Sequence, residues 1–431
     1  MNLIQLIVVG VSKMRVKSIE LVNFRGLEII PLSFTERTTA LVGINGVGKS
    51  SVLDALAISL SNLTARIMGQ PAKARSMSMD DIRVGASFAR LTTTAELNFP
   101  SPTTWAVALN RKGGKHPPER SSELEALKVQ ADLLHMRMEV RNSAENPINL
   151  PLAVYYDVHR AVLDVPLRVR ESLEISPHAA YDDALAHGGT DFKGFFKWFR
   201  NKEDSENEAI RDNPVYRDRD LSAVRRAIEL FTGFTDLRIR RKPALRMTVK
   251  KGDTELNVLQ LSDGEKCMLA LVGDLARRLT LLNFVGDDPL HGHGVVLIDE
   301  IDLHLHPTWQ RTVVASLANT FPNCQFIITT HSAQVLGELR PEEIILVRPN
   351  GTAHPQVSYG LDSSRVLEEI MGAASRAGKV ETAISELFSS LERNELEVAR
   401  ENLNTLSQMA PGIAELAGAQ ALLKRKEVLG R

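Results

Sequence analysis

The segment 43–50, Gly-Ile-Asn-Gly-Val-Gly-Lys-Ser, limits what this chain can fold into more than any other feature. It matches the pattern G-x-x-x-x-G-K-[S/T] at every fixed position. Residues 39–42 before it predict a strand, and apolar residues recur at helical spacing over 52–60 after it. A loop between a strand and a helix offers an anion free backbone N–H groups and the positive end of the helix dipole. The sequence therefore predicts an α/β fold with a phosphate-binding loop.

The residues of this loop have distinct expected roles. Gly46 and Gly48 allow the backbone to wrap tightly around a phosphate. Lys49 is expected to reach the β- and γ-phosphates of ATP, and the Ser50 hydroxyl to bind Mg²⁺. A chance glycine-rich turn is the alternative, but the strand–loop–helix context disfavours it. The predicted nucleotide-binding residues of the loop are Asn45, Gly46, Val47, Gly48, Lys49, Ser50 and Ser51.

A second motif pairs an apolar run with two acids. Residues Val295–Ile298 are continuously apolar and are followed by Asp299 and Glu300. Such a run predicts a strand buried on both faces of a parallel sheet, and the strand delivers its last residues to the edge where the phosphate loop lies. Asp299 is expected to hold Mg²⁺ through water, and Glu300 to polarise the attacking water as a general base.

The composition is that of an ordinary globular protein, with 43% hydrophobic and 24% charged residues. A net charge of −1 excludes binding of nucleic acid through the charge of the whole chain, so any such surface is a local patch. One basic run is a candidate for a surface that binds the phosphate backbone of nucleic acid. A solvated strand face is an equal alternative, because the run contains no aromatic residue that could stack on bases. The run comprises Arg238, Arg240, Arg241, Lys242, Arg246, Lys250 and Lys251.

Cysteine and histidine residues give weaker signals. Cys267 and Cys324 lack metal-type spacing, suit a reducing cytosol and are predicted to be small buried hydrophobes. A zinc site is a possible alternative use of the His-x-His pairs. It is disfavoured because one pair lies in a glycine-rich loop and the other has a further explanation given below. The pairs are His291 with His293 and His304 with His306.

Residues 261–266, Leu-Ser-Asp-Gly-Glu-Lys, resemble the signature motif of ABC-type ATPases. Asp263 replaces a glycine and Glu265 a glutamine of the transporter form, so the motif is most similar to the soluble branch of RecF, SMC and Rad50 proteins. The resemblance implies a P-loop NTPase fold of the ABC/RecF type, with a mixed parallel sheet, an antiparallel β subdomain, a helical insertion and a helical C-terminal tail. It also implies that Ser262, Gly264 and Glu265 face the γ-phosphate of ATP bound to a second subunit.

Further elements extend this resemblance. Residues 301–307, Ile-Asp-Leu-His-Leu-His-Pro, are similar to the D-loop, which implies that Asp302 packs across a dimer. His331 in Thr-Thr-His-Ser matches the switch histidine that contacts the γ-phosphate. In RecF-like ATPases an Asn-Phe-Arg turn lies near the nucleotide, which implies a phosphate contact for Arg25; a solvated hairpin arginine is the alternative. The Q-loop residue is not assigned, since no glutamine stands at a telling place over 60–120.

Outside these motifs, the chain looks like the ATPase subunit of Septu-type antiphage systems. The similarity covers Leu152–Arg160, the aromatic cluster Phe192–Phe199 and Gly360–Gly372 with the helices after it. Related ATPases accompany some retrons, and in the Septu family the ATPase is encoded beside an HNH nuclease. The resemblance implies a homodimer or higher oligomer that uses ATP and Mg²⁺ to control a partner nuclease. Two alternatives stay open: a RecF-like repair ATPase that binds DNA directly, and an ATP-gated scaffold with negligible turnover.

The predicted domains are 14–110 (ATPase lobe with the phosphate loop), 111–230 (mostly helical insertion), 231–370 (second lobe with signature, acidic strand and switch histidine) and 371–431 (helical tail for oligomerisation or partner docking). Residues 143–220 look irregular apart from the aromatic cluster, which is expected to be core. The apolar start, 2–11, lacks a basic region in front, so secretion is not expected and Met14 is a candidate natural start. No apolar run reaches about 18 residues, so no membrane span is expected, and a cytoplasmic protein is predicted.

Overall fold

The computed structural model describes residues 13–97, 101–113, 116–140, 149–158, 176–186, 190–348, 351–374 and 376–429. They form two compact units, one ending at Leu361 and one beginning at Asp362. The predicted tail, 371–431, falls within the second unit, and the predicted domain boundaries remain predictions. The apolar start and the pair His159-Arg160 lie outside the described residues.

The strands are β1 (Met14–Phe24), β2 (Leu27–Ser33), β3 (Thr38–Val42), β4 (Phe88–Leu97), β5 (Thr103–Asn110), β6 (Leu152–Tyr156), β7 (Thr235–Arg240), β8 (Arg246–Lys251), β9 (Thr254–Asn257), β10 (Gly294–Ile298), β11 (Cys324–Thr329), β12 (Ile344–Arg348) and β13 (Gly351–Ala353). The helices are α1 (Lys49–Ile67), α2 (Glu125–Val140), α3 (Phe192–Asp212), α4 (Arg219–Thr232), α5 (Asp263–Leu282), α6 (Pro307–Thr320), α7 (Ala333–Leu336), α8 (Ser363–Arg365), α9 (Gly378–Glu392), α10 (Leu396–Met409) and α11 (Glu415–Leu429).

A six-stranded sheet carries the residues that are predicted to handle ATP. Its order is β13-β12-β3-β11-β10-β6, and every neighbouring pair is parallel except β12 with β13. Strands β3, β10 and β11 are buried along their whole length. This confirms the apolar run Val295–Ile298 as a strand covered on both faces. The carboxyl ends of the parallel strands therefore meet at one edge of the sheet.

Strand β6 corrects the sequence interpretation. Residues 143–220 are predicted to be irregular, which is wrong for Leu152–Tyr156, because these five residues are buried and pair in parallel with β10. Strand β12 was not predicted either. A run this short is stabilised as a strand mainly by the neighbour it pairs with, and the pairing is invisible in the local sequence.

A second sheet, of order β2-β1-β4-β5, is the predicted antiparallel β subdomain. Helix α1 contacts β1 and β4 of this sheet as well as β6, β10 and β11 of the other, which explains why nearly all of it is buried. Gln325 of β11 joins the two sheets. Its side chain accepts a hydrogen bond from Val16 N (2.8 Å) and donates to Val16 O (2.8 Å) and Thr35 O (2.7 Å). All the hydrogen-bonding capacity of the Gln325 amide N–H₂ group is thus used inside the protein.

The insertion contains the long helices α3 and α4, each capped by an aspartate, Asp191 or Asp218. Its aromatic side chains are buried, which confirms them as core; they are Phe192, Phe195, Phe196, Trp198 and Phe199. After α4 the strands β7, β8 and β9 form an antiparallel meander. Gly252 makes its turn with a φ of 59°, which favours glycine.

Helix α5, which follows the signature motif, is buried along most of its length and packs on α3, α4 and β6. Its Asp274 is fully buried and accepts hydrogen bonds from Arg277 (2.6 Å), Arg278 (2.8 Å) and the Tyr156 hydroxyl (3.1 Å). A buried charge persists only when it is paired and hydrogen-bonded in this way. The cluster therefore fixes α5 against β6.

The second unit is helical, as predicted. Helices α9, α10 and α11 pack around a shared apolar core of Leu387, Leu391, Ala399, Leu403, Leu406, Leu416, Ala419 and Leu423. In the first unit both cysteines are buried, as predicted. None of the helices among the described residues has the length and apolar character needed to cross a membrane.

Candidate active site

The phosphate loop leaves β3 at Val42 and enters α1 at Lys49. Gly46 and Gly48 have φ values of 79° and 108°, in the left-handed region that favours glycine. A Cβ on Gly43 would lie 2.5 Å from the Val347 carbonyl oxygen of β12, so the loop also depends on close backbone approach. Because Gly48 precedes α1, no side chain of that residue caps the helix, and its first N–H groups can serve an anion.

Lys49 lies over this loop and is buried. Its ammonium donates hydrogen bonds to the carbonyl oxygens of Gly43 (2.9 Å) and Ile44 (3.2 Å). Burial lowers the pKa of Lys49, and the charges of Asp299 and Glu300 partly oppose that shift. The structure thus brings the predicted lysine and the two predicted acids into one electrostatic site.

The two acids follow β10 and are held by the end of β11. The Thr329 hydroxyl donates to Asp299 Oδ1 (2.5 Å) and accepts from Glu300 N (2.7 Å). Glu300 has a φ of 46°, an uncommon backbone conformation for a residue other than glycine. Sequence analysis gave Thr329 no role, although a hydroxyl residue at the end of a buried strand beside the acidic strand was the available signal.

We expect Thr329→Val to lower the rate of ATP hydrolysis about 10- to 100-fold, the usual effect of removing a group that orients an active-site ligand. Valine keeps the volume but loses both hydrogen bonds, so Asp299 and the Glu300 backbone lose their common anchor. Steady-state phosphate release measures the effect. Thr329→Ser keeps the hydroxyl and is the matched control, with a rate near wild type. Equal rates for the valine variant and wild type would contradict this role.

The predicted D-loop and switch segment form one network behind the acids. Asp302 Oδ1 accepts from the Thr330 hydroxyl (2.6 Å) and from His331 N (3.3 Å). Gln310 of α6 donates to Leu305 O (2.9 Å) and accepts from the Ser332 hydroxyl (2.7 Å). Asp302 therefore positions the switch segment of its own subunit. Its predicted contact across a dimer stays a prediction.

Asp157 is an acid of this edge that sequence analysis missed. It follows β6, where Tyr156 lies opposite Ile298, so Asp157 and Asp299 leave neighbouring parallel strands in register. Burial and the charges of Asp54, Asp299 and Asp157 raise the pKa of Tyr155, so the three carboxylates act on the same hydroxyl. Five apolar or aromatic residues, Leu152–Tyr156, precede Asp157, much as the four apolar residues Val295–Ile298 precede Asp299. This similarity was the available signal.

Arg25 is held by acids and is not a solvated hairpin residue. Its guanidinium donates to Asp81 Oδ1 (2.8 Å) and to Asp54 Oδ2 (2.5 Å) of α1. Arg75 donates to the other oxygen of Asp54 at 2.7 Å. Although burial disfavours its charge, hydrogen bonds to both acids raise the pKa of Arg25. Arg25 therefore ties the β1–β2 turn to the helix of the phosphate loop, and its phosphate contact stays a prediction.

The signature residues lie in a separate cleft of about 900 Å³. Ser262 caps α5, and a Cβ on Gly264 would lie 2.4 Å from the His304 carbonyl oxygen, so the helix start packs directly on the D-loop. Of the described residues that line this cleft, none belongs to the phosphate loop. Ser262, Gly264 and Glu265 thus line a cleft to which no described residue of the phosphate loop contributes.

The basic run is largely neutralised within the protein. Arg240 pairs with Glu255 (2.6 Å), and Lys250 lies 3.8 Å from Asp236. The remaining ion pairs are Arg238 with Asp236, Arg241 with Asp204 and Lys251 with Glu265. This favours the solvated strand face over a surface that tracks a phosphate backbone.

The predicted metal donors suit Mg²⁺, because the Ser50 hydroxyl and the Asp299 carboxylate are hard oxygen ligands. In the part of the chain that the structure describes, no group of three or more His, Cys, Asp or Glu side chains could hold a metal by itself. Mg²⁺ in such ATPases is bound by few protein ligands together with substrate phosphates, so the donors present fit that mode.

Comparisons with known proteins identify the family of this chain. The family model described as "AAA ATPase domain" matches residues 14–107, and the one described as "AAA domain, putative AbiEii toxin, Type IV TA system" matches residues 159–337. The retron Ec83 probable ATPase of Escherichia coli is 32% identical, over 85% of this chain and 77% of that protein. The Septu protein PtuA of Bacillus thuringiensis is 24% identical, over 88% of this chain and 90% of that protein.

Among solved structures, the Smc head domain with an extended coiled coil, bound to the C-terminal domain of ScpA and derived from Pyrococcus furiosus, is similar with a TM-score of 0.44 and 18% identity. That match covers 83% of this chain and 99% of the Smc chain. The predicted fold class is confirmed by the mixed parallel sheet, the antiparallel β subdomain and the helical additions. The chain belongs to the family of AAA ATPases that includes the retron Ec83 ATPase, and it is an ATPase.

Proposed function

We propose that this ATPase closes head-to-tail with a second copy around ATP, and that hydrolysis switches an associated nuclease in antiphage defence. The observation that carries the dimer is the cleft at the signature. Ser262 and Gly264 line it together with His304 and His306, without a described residue of the phosphate loop. This lining supports a nucleotide held by another subunit as the ligand of this surface.

Half of each composite site comes from the subunit that holds the nucleotide. Lys49 neutralises the β- and γ-phosphates, since its ammonium already lies over the loop carbonyls. Ser50 and Asp299 hold Mg²⁺, which spreads the negative charge of the phosphates when it is bound. Asp157 lies next to Asp299 in the sheet and supports the same function.

The hydrolytic step belongs to Glu300, which accepts a proton from the attacking water as a general base. Thr329 fixes the Glu300 backbone, and the network of Asp302 fixes the segment that carries His331. His331 then contacts the γ-phosphate. The other half of the site comes from the second copy, whose Ser262 and signature helix approach the γ-phosphate.

The defence role and the nuclease partner rest on the relatives. The similar proteins are named as ATPases of a retron and as a Septu protein. The resemblance to Septu ATPases adds an HNH nuclease encoded beside the ATPase. The helices α9–α11 supply a separately packed docking element, since they form a core of their own. Nucleic acid then binds to the partner and not to the ATPase, because most cations of the meander β7–β9 are already paired with acids of the ATPase.

Sedimentation of purified protein tests the dimer. Glu300→Gln, which keeps the phosphate loop intact, is expected to dimerise with ATP and Mg²⁺ and to be monomeric without nucleotide. Lys49→Ala is the control that lacks the cation for the phosphates and stays monomeric. If the molecular mass of the Glu300→Gln variant were the same with and without ATP, the result would contradict the proposed closure.

The partner is tested by co-purification with the nuclease encoded at the same locus. We expect a stable complex whose nuclease activity differs between the Glu300→Gln variant with ATP and the Lys49→Ala variant. Identical nuclease activity in both complexes would contradict control by ATP. Tight, salt-dependent DNA binding by the ATPase alone would favour the RecF-like alternative instead.

A further inference from the structure

The N-terminus of α5 carries a carboxylate at the place where the proposed dimer needs a phosphate. Ser262 N and the Ser262 hydroxyl both donate to Glu265 Oε2, at 2.9 and 2.8 Å. Glu265 N donates back to the Ser262 hydroxyl at 3.4 Å. In this reciprocal cap the Ser262 hydroxyl is engaged by its own helix. The residue expected to serve the second subunit is therefore occupied in the free subunit.

Lys251, which lies on a different element, pairs with this carboxylate. It ends β8, and its ammonium lies 2.6 Å from Glu265 Oε1. Both side chains line the signature cleft with Ser262. Burial alone would raise the pKa of Glu265, but hydrogen bonds from Lys251 and Ser262 hold it below its usual range. Glu265 is thus a charged carboxylate at neutral pH.

A carboxylate at this place repels the phosphates of an approaching nucleotide, and the repulsion grows as closure excludes water. The ion pair with Lys251 screens the charge but also occupies the cation. A capping box that only stabilised a helix would not need this third partner, since Ser262 and Glu265 satisfy each other. The arrangement therefore couples the signature helix to the meander.

We propose that the Glu265–Lys251 ion pair is an autoinhibitory lock on the signature surface, an inference that rests on the proposed ATP-closed dimer. In the free subunit the Glu265 carboxylate occupies the start of α5. Closure turns it away, which releases the Ser262 hydroxyl and transfers Lys251 from the carboxylate to the γ-phosphate held by the second copy. The lock weakens ATP-dependent dimerisation and so limits the formation of the closed dimer that hydrolyses ATP.

Glu265→Gln tests the lock, because glutamine retains the capping geometry and removes the charge. The variant is made in the Glu300→Gln background, and the ATP-dependent dimer dissociation constant is measured by sedimentation. We expect dimerisation about tenfold tighter than in the Glu300→Gln parent, since removing like-charge repulsion favours association. An unchanged dissociation constant overturns the lock and leaves the dimer standing. A parent that fails to dimerise with ATP overturns the dimer and the lock together.

Lys251→Met completes the test. It leaves Glu265 charged and removes the cation, so dimerisation is expected to weaken about tenfold. Lys250→Met is the matched control: Lys250 is the neighbour on the opposite face of β8, where it approaches Asp236, and its loss is expected to change nothing. The variant carrying both Glu265→Gln and Lys251→Met separates the two roles of Lys251. Dimerisation weaker than in Glu265→Gln alone supports the phosphate contact, and equal dimerisation overturns it.

Discussion

Glu300→Gln is expected to lower steady-state phosphate release about 100- to 10,000-fold, the range typical of losing a general base. ATP binding is expected to remain, because the phosphate loop and Lys49 are unchanged. Glutamine is close in size to glutamate but accepts no proton from the attacking water. The backbone position is held by the bond from Glu300 N to the Thr329 hydroxyl, which the substitution leaves in place. The measurement pairs a phosphate-release assay with equilibrium nucleotide binding.

Two further variants serve as controls for this result. Lys49→Ala is expected to lose ATP binding itself, so binding separates it from Glu300→Gln even though both release little phosphate. Glu28→Gln removes an exposed carboxylate of β2 and is expected to behave as wild type. Should wild type and Glu300→Gln release phosphate at the same slow rate, Glu300 is not the general base.

Ser262→Arg is expected to abolish hydrolysis while ATP binding stays near normal. The arginine blocks the signature surface, yet Ser262 lines a cleft without a described residue of the subunit's own phosphate loop. Serine at a helix N-cap also contributes about 0.5–2 kcal/mol of stability, so the melting temperature of the variant is measured in parallel. The difference between lost turnover and retained binding is the informative readout.

Mixing variants distinguishes a site shared between subunits from a site within one chain. Ser262→Arg and Glu300→Gln are each inactive, but a mixed head-to-tail dimer contains one site with an intact Glu300 and an intact Ser262. Equal amounts are expected to recover about a quarter of the wild-type rate, because half of the dimers are mixed and each has one working site. A mixture as inactive as its components would contradict the shared site.

How far the sequence predicts the site depends on whether each residue acts through a local pattern. The phosphate loop, the acids after β10 and the helix after the signature are each contained in one short segment with its own hydrophobic pattern. Thr329 and Asp157 were missed because their importance comes from the strand beside them. Thr329 reaches Asp299 across 30 positions of sequence, and Asp157 lies beside Asp299 only because β6 pairs with β10.

The same reasoning explains the charged residues. By sequence, the seven cations over 238–251 fit a nucleic-acid surface and a solvated strand face equally well. Five of them have an acidic partner in the structure, and in four of the five pairs the acid lies on another element. These pairs are Arg240 with Glu255, Arg241 with Asp204, Lys250 with Asp236 and Lys251 with Glu265. Arg25 likewise finds Asp54 on α1 and Asp81 in a later turn. Net charge counts residues, whereas ion pairing depends on the distance between atoms.

By itself, the sequence determined that a strand, a glycine-rich loop and a helix start would bind phosphate, because those features depend on backbone geometry and side-chain periodicity over a few consecutive residues. It also determined the acidic strand and the order of the motifs. Only the tertiary structure decided that the signature lines a cleft with the segment around His304, and that Glu265 caps its own helix while it pairs with Lys251. The physical reason is that electrostatic interactions and hydrogen bonds act over a few ångströms, and only folding brings those groups within that distance.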